Sequence, residues 1–66
     1  MSIVSVIEVI ATSENGFENA VENALNEAAK TVRNIQSIYI KEMNAKVENN
    51  KIVSYGVNAK ISFLKE

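Results

Sequence analysis

The 66-residue sequence predicts an α+β fold: a three-stranded antiparallel sheet wrapped around one helix, in the order β-α-β-β. Three observations predict it. A run of β-branched residues opens the chain. A stretch with apolar residues at three- and four-residue steps follows, the mark of one helical face. Two long alternating segments then flank Asn49-Asn50, a dipeptide that tolerates the positive φ of a two-residue hairpin turn.

Ile3 to Ala11 forms the first expected strand. Ile3, Val4, Val6, Ile7, Val9 and Ile10 are interrupted only by Ser5 and Glu8. So continuous an apolar run suits a strand covered on both faces, by the helix on one and a neighbouring subunit on the other. Thr12-Ser13-Glu14-Asn15-Gly16 breaks it. Asn15 with Glu18 has the spacing of a capping box, with Ser13 as an alternative cap. From Phe17, the residues Ala20, Val21, Ala24, Leu25, Ala28 and Val32 share one face. Their small size lets a sheet approach closely. The helix is expected to end near Arg33-Asn34, with Arg33 facing the negative end of the helix dipole.

Ile35 to Glu48 alternates imperfectly, with Tyr39, Met43, Ala45 and Val47 on one face. Ile38 and Ile40 fall on the opposite, more polar face, which predicts that they and Val4 touch another chain. Ile52 to Leu64 alternates cleanly and sets Val53, Tyr55, Val57, Ala59, Ile61 and Phe63 toward the helix. Strands of about a dozen residues exceed the usual length and leave unpaired edges.

The chain has room for one domain, residues 1–66. A domain this short buries only about 60% of its unfolded surface, so it needs a disulfide, a metal or a partner. With no Cys and no His, disulfides and Cys/His zinc sites are excluded, and self-association remains. The net charge of -1 and the lack of a Lys/Arg run argue against nucleic acid. No apolar stretch approaches the roughly 20 residues of a membrane span. Met1-Ser2-Ile3-Val4 does not read as a secretory leader, so a cytoplasmic protein is expected. The lack of His and Cys also removes the usual nucleophiles and bases near neutral pH, and no enzymatic activity is expected.

The chain resembles the dodecins, small flavin-binding proteins of bacteria and archaea. The resemblance rests on Val9-Ile10-Ala11-Thr12-Ser13-Glu14 and Phe17-Glu18-Asn19-Ala20-Val21-Glu22-Asn23-Ala24. It continues through Ala28, Thr31-Val32-Arg33-Asn34-Ile35 and Val47-Glu48-Asn49-Asn50-Lys51-Ile52, and closes with Tyr55, Val57, Lys60 and Ile61-Ser62-Phe63. It covers nearly the full length without gaps. It implies a hollow homododecamer that stores or sequesters flavin, as riboflavin, FMN or FAD, without turnover. In flavin-binding members a Trp at the start of the second strand stacks on the isoalloxazine ring, and a Gln in the third strand bonds its edge.

Those two positions fall on Ser37 and Gly56, and the chain has no Trp. By analogy with nucleobase stacking, each lost aromatic contact is worth roughly 1–3 kcal/mol, so flavin affinity is expected to be weak. The departure places the chain nearer dodecin-like members without the flavin Trp, some of them described as calcium-binding. The expected cofactor-binding residues are Ser37, Gly56, Tyr55 and Glu42. Glu42 is also the expected ligand of a hard cation, calcium or magnesium, with copies of one carboxylate meeting on a symmetry axis. Glu8 and Glu48 offer the same oxygen chemistry. Each of these groups has a plainer reading: Ser37 and Gly56 as ordinary strand positions, the carboxylates as solvated or paired with Lys41, Lys46 or Lys60. Arg33 and Lys60 suit a ligand phosphate or simple surface charge. Tyr39 and Tyr55 suit a stacked ligand, although their alternation assigns them to core or subunit contacts.

Overall fold

The computed structural model describes residues 3–65. Met1 and Ser2, on which part of the leader reading rests, lie outside the described residues, as does Glu66 of the expected domain. The elements are β1 (Ile3–Ser13), α1 (Phe17–Ala29), β2 (Ile35–Glu48) and β3 (Lys51–Lys65). They form one antiparallel sheet of order β1-β3-β2 with the helix packed on one face, as the sequence predicts. No described helix is long and apolar enough to cross a membrane.

β3 is central because it pairs on both sides. β1 meets it without a register break, from Ile3 opposite Lys65 to Ser13 opposite Tyr55. The core lies between this ladder and α1. Ala20, Ala24 and Ala28 are buried beneath the helix, against Val57, Ala59 and Ile61 of β3. The three alanines are spaced one turn apart and bring backbone close to backbone, so the larger β3 side chains fill the space between. Val9, Ala11, Phe17, Val21, Ile38 and Ile40 close the sides of this cluster.

Three local expectations are corrected. β1 runs two residues beyond Ala11, to Ser13. The helix cap is Gly16, with no side-chain cap bond, rather than Asn15 or Ser13. Gly16 has φ 152°, a conformation that side chains resist, and it turns the chain from strand into helix. Ser13 is instead a buried hinge: its Oγ accepts from the Asn15 N–H at 2.9 Å and donates to Asn19 Oδ1. The helix also ends at Ala29, not near Arg33. The amides of Thr31 and Val32 both reach the Ala28 carbonyl at 3.0 Å and tighten the exit. Val32 and Arg33 therefore lie in the connection, which Asn34 closes at φ 61°.

The largest correction concerns β2. Gln36 and Lys41 are extra residues in the β2–β3 ladder: Ile35 pairs Phe63 and Ser37 pairs Ser62, then Ile40 pairs Ala59 and Glu42 pairs Asn58. Each bulge reverses the alternation. Ile38 and Ile40 oppose Ile61 and Ala59, so they lie on the helix side, partly buried against the core, and not on the polar face where alternation put them. Tyr39 turns to the opposite face. Past Lys41, Met43 and Ala45 return to the helix side. There the hairpin has outrun the helix: 14 residues of β2 span about 46 Å, against about 20 Å for 13 helical residues. Val53, expected against the helix, is exposed on this arm with Met43, Val47 and Ile52. The turn itself is as expected, with Asn49 at φ 53° and Asn50 at φ 63°.

Candidate functional site

The pairing register defines the sheet face opposite the helix. Because Val57, Ala59 and Ile61 point into the core, Gly56, Asn58, Lys60 and Ser62 of β3 point away from it. β1 adds Val4, Val6, Glu8, Ile10 and Thr12 to this outer face, and β2 adds Ser37, Tyr39, Glu42 and Asn44. Cross-strand rows result: Val6, Ser62 and Ser37; then Glu8, Lys60 and Tyr39; then Ile10, Asn58 and Glu42; then Thr12, Gly56 and Asn44.

Three of the four expected cofactor-binding residues, Ser37, Glu42 and Gly56, therefore share one face. Tyr55 does not. It lies on the helix side, half-buried, with its ring edge-on to Phe17 at a centroid distance of 5.0 Å and an interplanar angle of 76°. Such a pair supports packing and anchors the first turn of α1.

At one end of the outer face, Ser37 and Ser62 hydroxyls meet at 2.6 Å, so each already has a partner. Tyr39 stands next along β2 with its side chain 65% exposed. Lys41, lifted by its bulge, reaches over Lys60 to Glu8 on β1 at 3.5 Å. This pair is about half exposed and contributes at most about 1 kcal/mol. At the other end, Asn44 lies across Gly56. A Cβ built on Gly56 would sit 2.6 Å from Asn44 Oδ1. Between these ends, Asn58 carries a buried Oδ1 with no hydrogen-bond partner. Val4, Val6 and Ile10 line the β1 side of the face, with Ile10 75% exposed.

Glu42 is exposed beside Asn58. Among the described residues no three His, Cys, Asp or Glu side chains gather closely enough to hold a metal ion. A cation at Glu42 would need further oxygens from outside one chain. Of the other sequence candidates, Glu48 pairs with Lys46 at 3.6 Å at the arm tip, far from Glu42. Arg33 lines a separate open depression of about 390 Å³, with Ser5, Thr31, Phe63 and Lys65, where the helix exit meets the start of β1. Arg33 and Lys60 are not brought together: one is on the helix exit and the other on the outer face.

Asn44 and Asn58 were not distinguished by sequence reasoning. Their signal was present only as two polar residues at outward-facing strand positions, and it acquires meaning through the register that sets both on one face beside Gly56.

Comparison with known proteins is consistent along the whole chain. The family model for Dodecin matches residues 3–66. The dodecin of Thermus thermophilus is 32% identical over 57 residues, covering 86% of this chain and 83% of that protein. A crystal structure of a Thermus thermophilus protein superposes with a TM-score of 0.94 at 29% identity, covering 100% of this chain and 97% of the other. A crystal structure of the calcium-chelating immunodominant antigen of Mycobacterium tuberculosis, a calcium dodecin, superposes with a TM-score of 0.84 at 26% identity, covering 98% and 93%.

Proposed function

This chain belongs to the dodecin family, and from that premise we propose that it is a self-assembling small-molecule binding and storage protein whose ligand lies on the outer sheet face. The assembly is a hollow homododecamer, and the family's ligand, a flavin, is its default cargo. The observation that carries this reading is the outer face itself. A 66-residue chain leaves Val4, Val6, Ile10 and Tyr39 uncovered around a strip of polar groups, on the side that α1 does not reach. Apolar surface of this kind marks a place that something else covers.

The residues fit a flavin with fewer contacts than the Trp and Gln of flavin-binding members provide. Ser37 supplies no π surface, and its hydroxyl is engaged by Ser62. Tyr39, one pleat further on the same face, offers an exposed ring. Gly56 supplies no side chain, and the Asn44 carboxamide occupies the space above it. Glu42 borders the same strip, whereas Tyr55 supports it from the helix side. A bound flavin supplies a planar ring with a hydrogen-bonding edge; the chain holds and shields it, and no turnover is involved.

A second reading is supported by the Mycobacterium tuberculosis relative, whose structure carries a calcium-binding site. Here Glu42 is the calcium or magnesium ligand, its coordination completed by Glu42 of other copies.

Sedimentation with a flavin titration tests the primary reading. The protein is expected to sediment near twelve times its 7.3 kDa protomer mass. It is expected to quench riboflavin or FMN fluorescence saturably. A monomer, or no quenching at tens of micromolar protein, overturns it. For the cation reading, a chelator should lower the melting temperature, since a ligand bound only to the native state stabilises it. An unchanged melt removes that reading.

A further inference from the structure

The turn from β1 into α1 sets a reactive pair of residues in the open. Gly16 has φ 152° and ψ 173°, a backbone state in which a side chain is strained. Space is not the constraint, because a Cβ built there would meet nothing within 4 Å. The change from strand to helix therefore demands glycine and leaves open room around it. The residue before it is Asn15. The chain holds nine asparagines, and Asn15 alone precedes a glycine.

Asn15 is exposed. Its backbone N–H donates to Ser13 Oγ at 2.9 Å, but its carboxamide makes no hydrogen bond to a described residue. The Gly16 N–H also has no acceptor among the described residues; helical bonding starts with the Ala20 N–H on the Gly16 carbonyl at 3.0 Å. A free carboxamide thus adjoins a free amide nitrogen that no side chain of its own residue shields. The other asparagines lack this combination. Asn19, Asn23 and Asn26 lie in α1, where the following amides are held by helical bonds. Asn44 and Asn58 lie in paired strands. Asn34, Asn49 and Asn50 are followed by residues with side chains, Ile35, Asn50 and Lys51.

We propose that Asn15-Gly16 is a site of spontaneous covalent rearrangement, which converts Asn15 to isoaspartate and loosens the entry into α1. The Gly16 amide gives its proton to solvent base, and the nitrogen attacks Asn15 Cγ. The Cγ–Nδ2 bond breaks, and Nδ2 leaves as ammonia with a proton from water. A five-membered succinimide remains. Water then opens it at Cγ, giving aspartate, or at the Asn15 backbone carbonyl, giving isoaspartate. One water is consumed and one ammonia released, with no oxidant and no enzyme. In isoaspartate the main chain runs through Cβ and Cγ and is one carbon longer. That carbon enters between Ser13, which bonds Asn15 and Asn19, and Gly16, which receives the first helical bond. The added length shifts the cap and disturbs the first turn, where Phe17 meets Tyr55 at 5.0 Å. Aspartate keeps the backbone length and adds only a charge that the helix dipole favours. The inference is independent of any ligand.

The test ages the purified protein in heavy-oxygen water, near neutral and at alkaline pH, and follows it by peptide mass spectrometry. Glu14 and Glu18 bracket the site, so a Glu-specific protease used in ordinary water releases residues 15–18. That peptide is expected to carry one heavy oxygen, gained faster at alkaline pH, with isoaspartate the larger product by electron-transfer fragmentation. Asn15→Gln is expected to keep the circular dichroism of the parent and to stop the uptake, because its ring closure needs a further carbon. The aged fraction should melt below fresh protein, whereas Asn15→Asp should melt no lower than fresh protein. No uptake after weeks, uptake at Asn49-Asn50 as fast as at Asn15, or uptake by this peptide that persists in Asn15→Gln overturns the site. Isoaspartate-containing protein that melts like fresh protein overturns the loosening of α1.

Discussion

Ala24 shows how one residue decides the distance between layers. It is fully buried midway along α1, with Ala20 and Ala28 a turn to either side. The site is closed by Val57 and Ala59, so added bulk has nowhere to go. Ala24→Leu is expected to destabilise the protein by about 1–3 kcal/mol through overpacking, read as a lower midpoint in urea with an unchanged slope. An unchanged midpoint would mean that the helix moves away freely. The alanine stripe was legible in the sequence because helical spacing is a local property. The roles of single polar residues were not. Ser13 reads as a helix cap, yet β1 carries it into a buried position where it bonds Asn15 and Asn19. Tyr55 reads both as a ligand contact and, by alternation, as a packing residue, and the register sets its ring against Phe17. Tyr55 is placed by a residue remote in sequence, whereas Ser13 is held by the nearby Asn15 and Asn19 once β1 runs on to meet the helix.

Elements were more legible than residues. β2 begins and ends where its composition predicts, and the hairpin turn falls on Asn49-Asn50. Both turn residues adopt positive φ, which Asn tolerates and Gly adopts freely. Asn50→Gly is therefore expected to stabilise the hairpin, on the order of 0.5 kcal/mol, seen as a higher melting temperature. A lower one would show that the Asn50 side chain matters at the tip. The faces of β2 were less legible. Perfect alternation places Ile38 and Ile40 outside, but the bulges at Gln36 and Lys41 turn them inward and expose Tyr39. A bulge has no composition of its own here. It arises because β2 must keep Ile35, Ile38 and Ile40 on the core while following a twisted partner strand. The helix stopped short of its pattern for a similar reason: Val32 continues the apolar spacing, but the chain must already turn back toward β2.

At the scale of the molecule, the protomer measures 52 × 19 × 13 Å, too thin to enclose both faces of its sheet. The helix covers one face over part of its length. The outer face and the arm beyond the helix remain open, as do the outer edges of β1 and β2. Burying one such side chain is worth roughly 1.5–3 kcal/mol, so several together provide a strong drive to associate. Ile10→Lys places a charge at the most exposed of the large apolar residues, with little to disturb inside the protomer. It is expected to shift sedimentation toward smaller species at low concentration while the far-ultraviolet circular dichroism is retained. An unchanged native mass would remove Ile10 from the contact.

The sequence by itself determined the elements, their order, the buried alanine stripe and the need for a covering partner. These follow from periodicity, turn chemistry and size, which act over a few residues or on the whole composition. Only the tertiary structure decided which residues share the outer face. Side-chain direction in a sheet depends on register, and a single extra residue such as Lys41 reverses it for every position that follows.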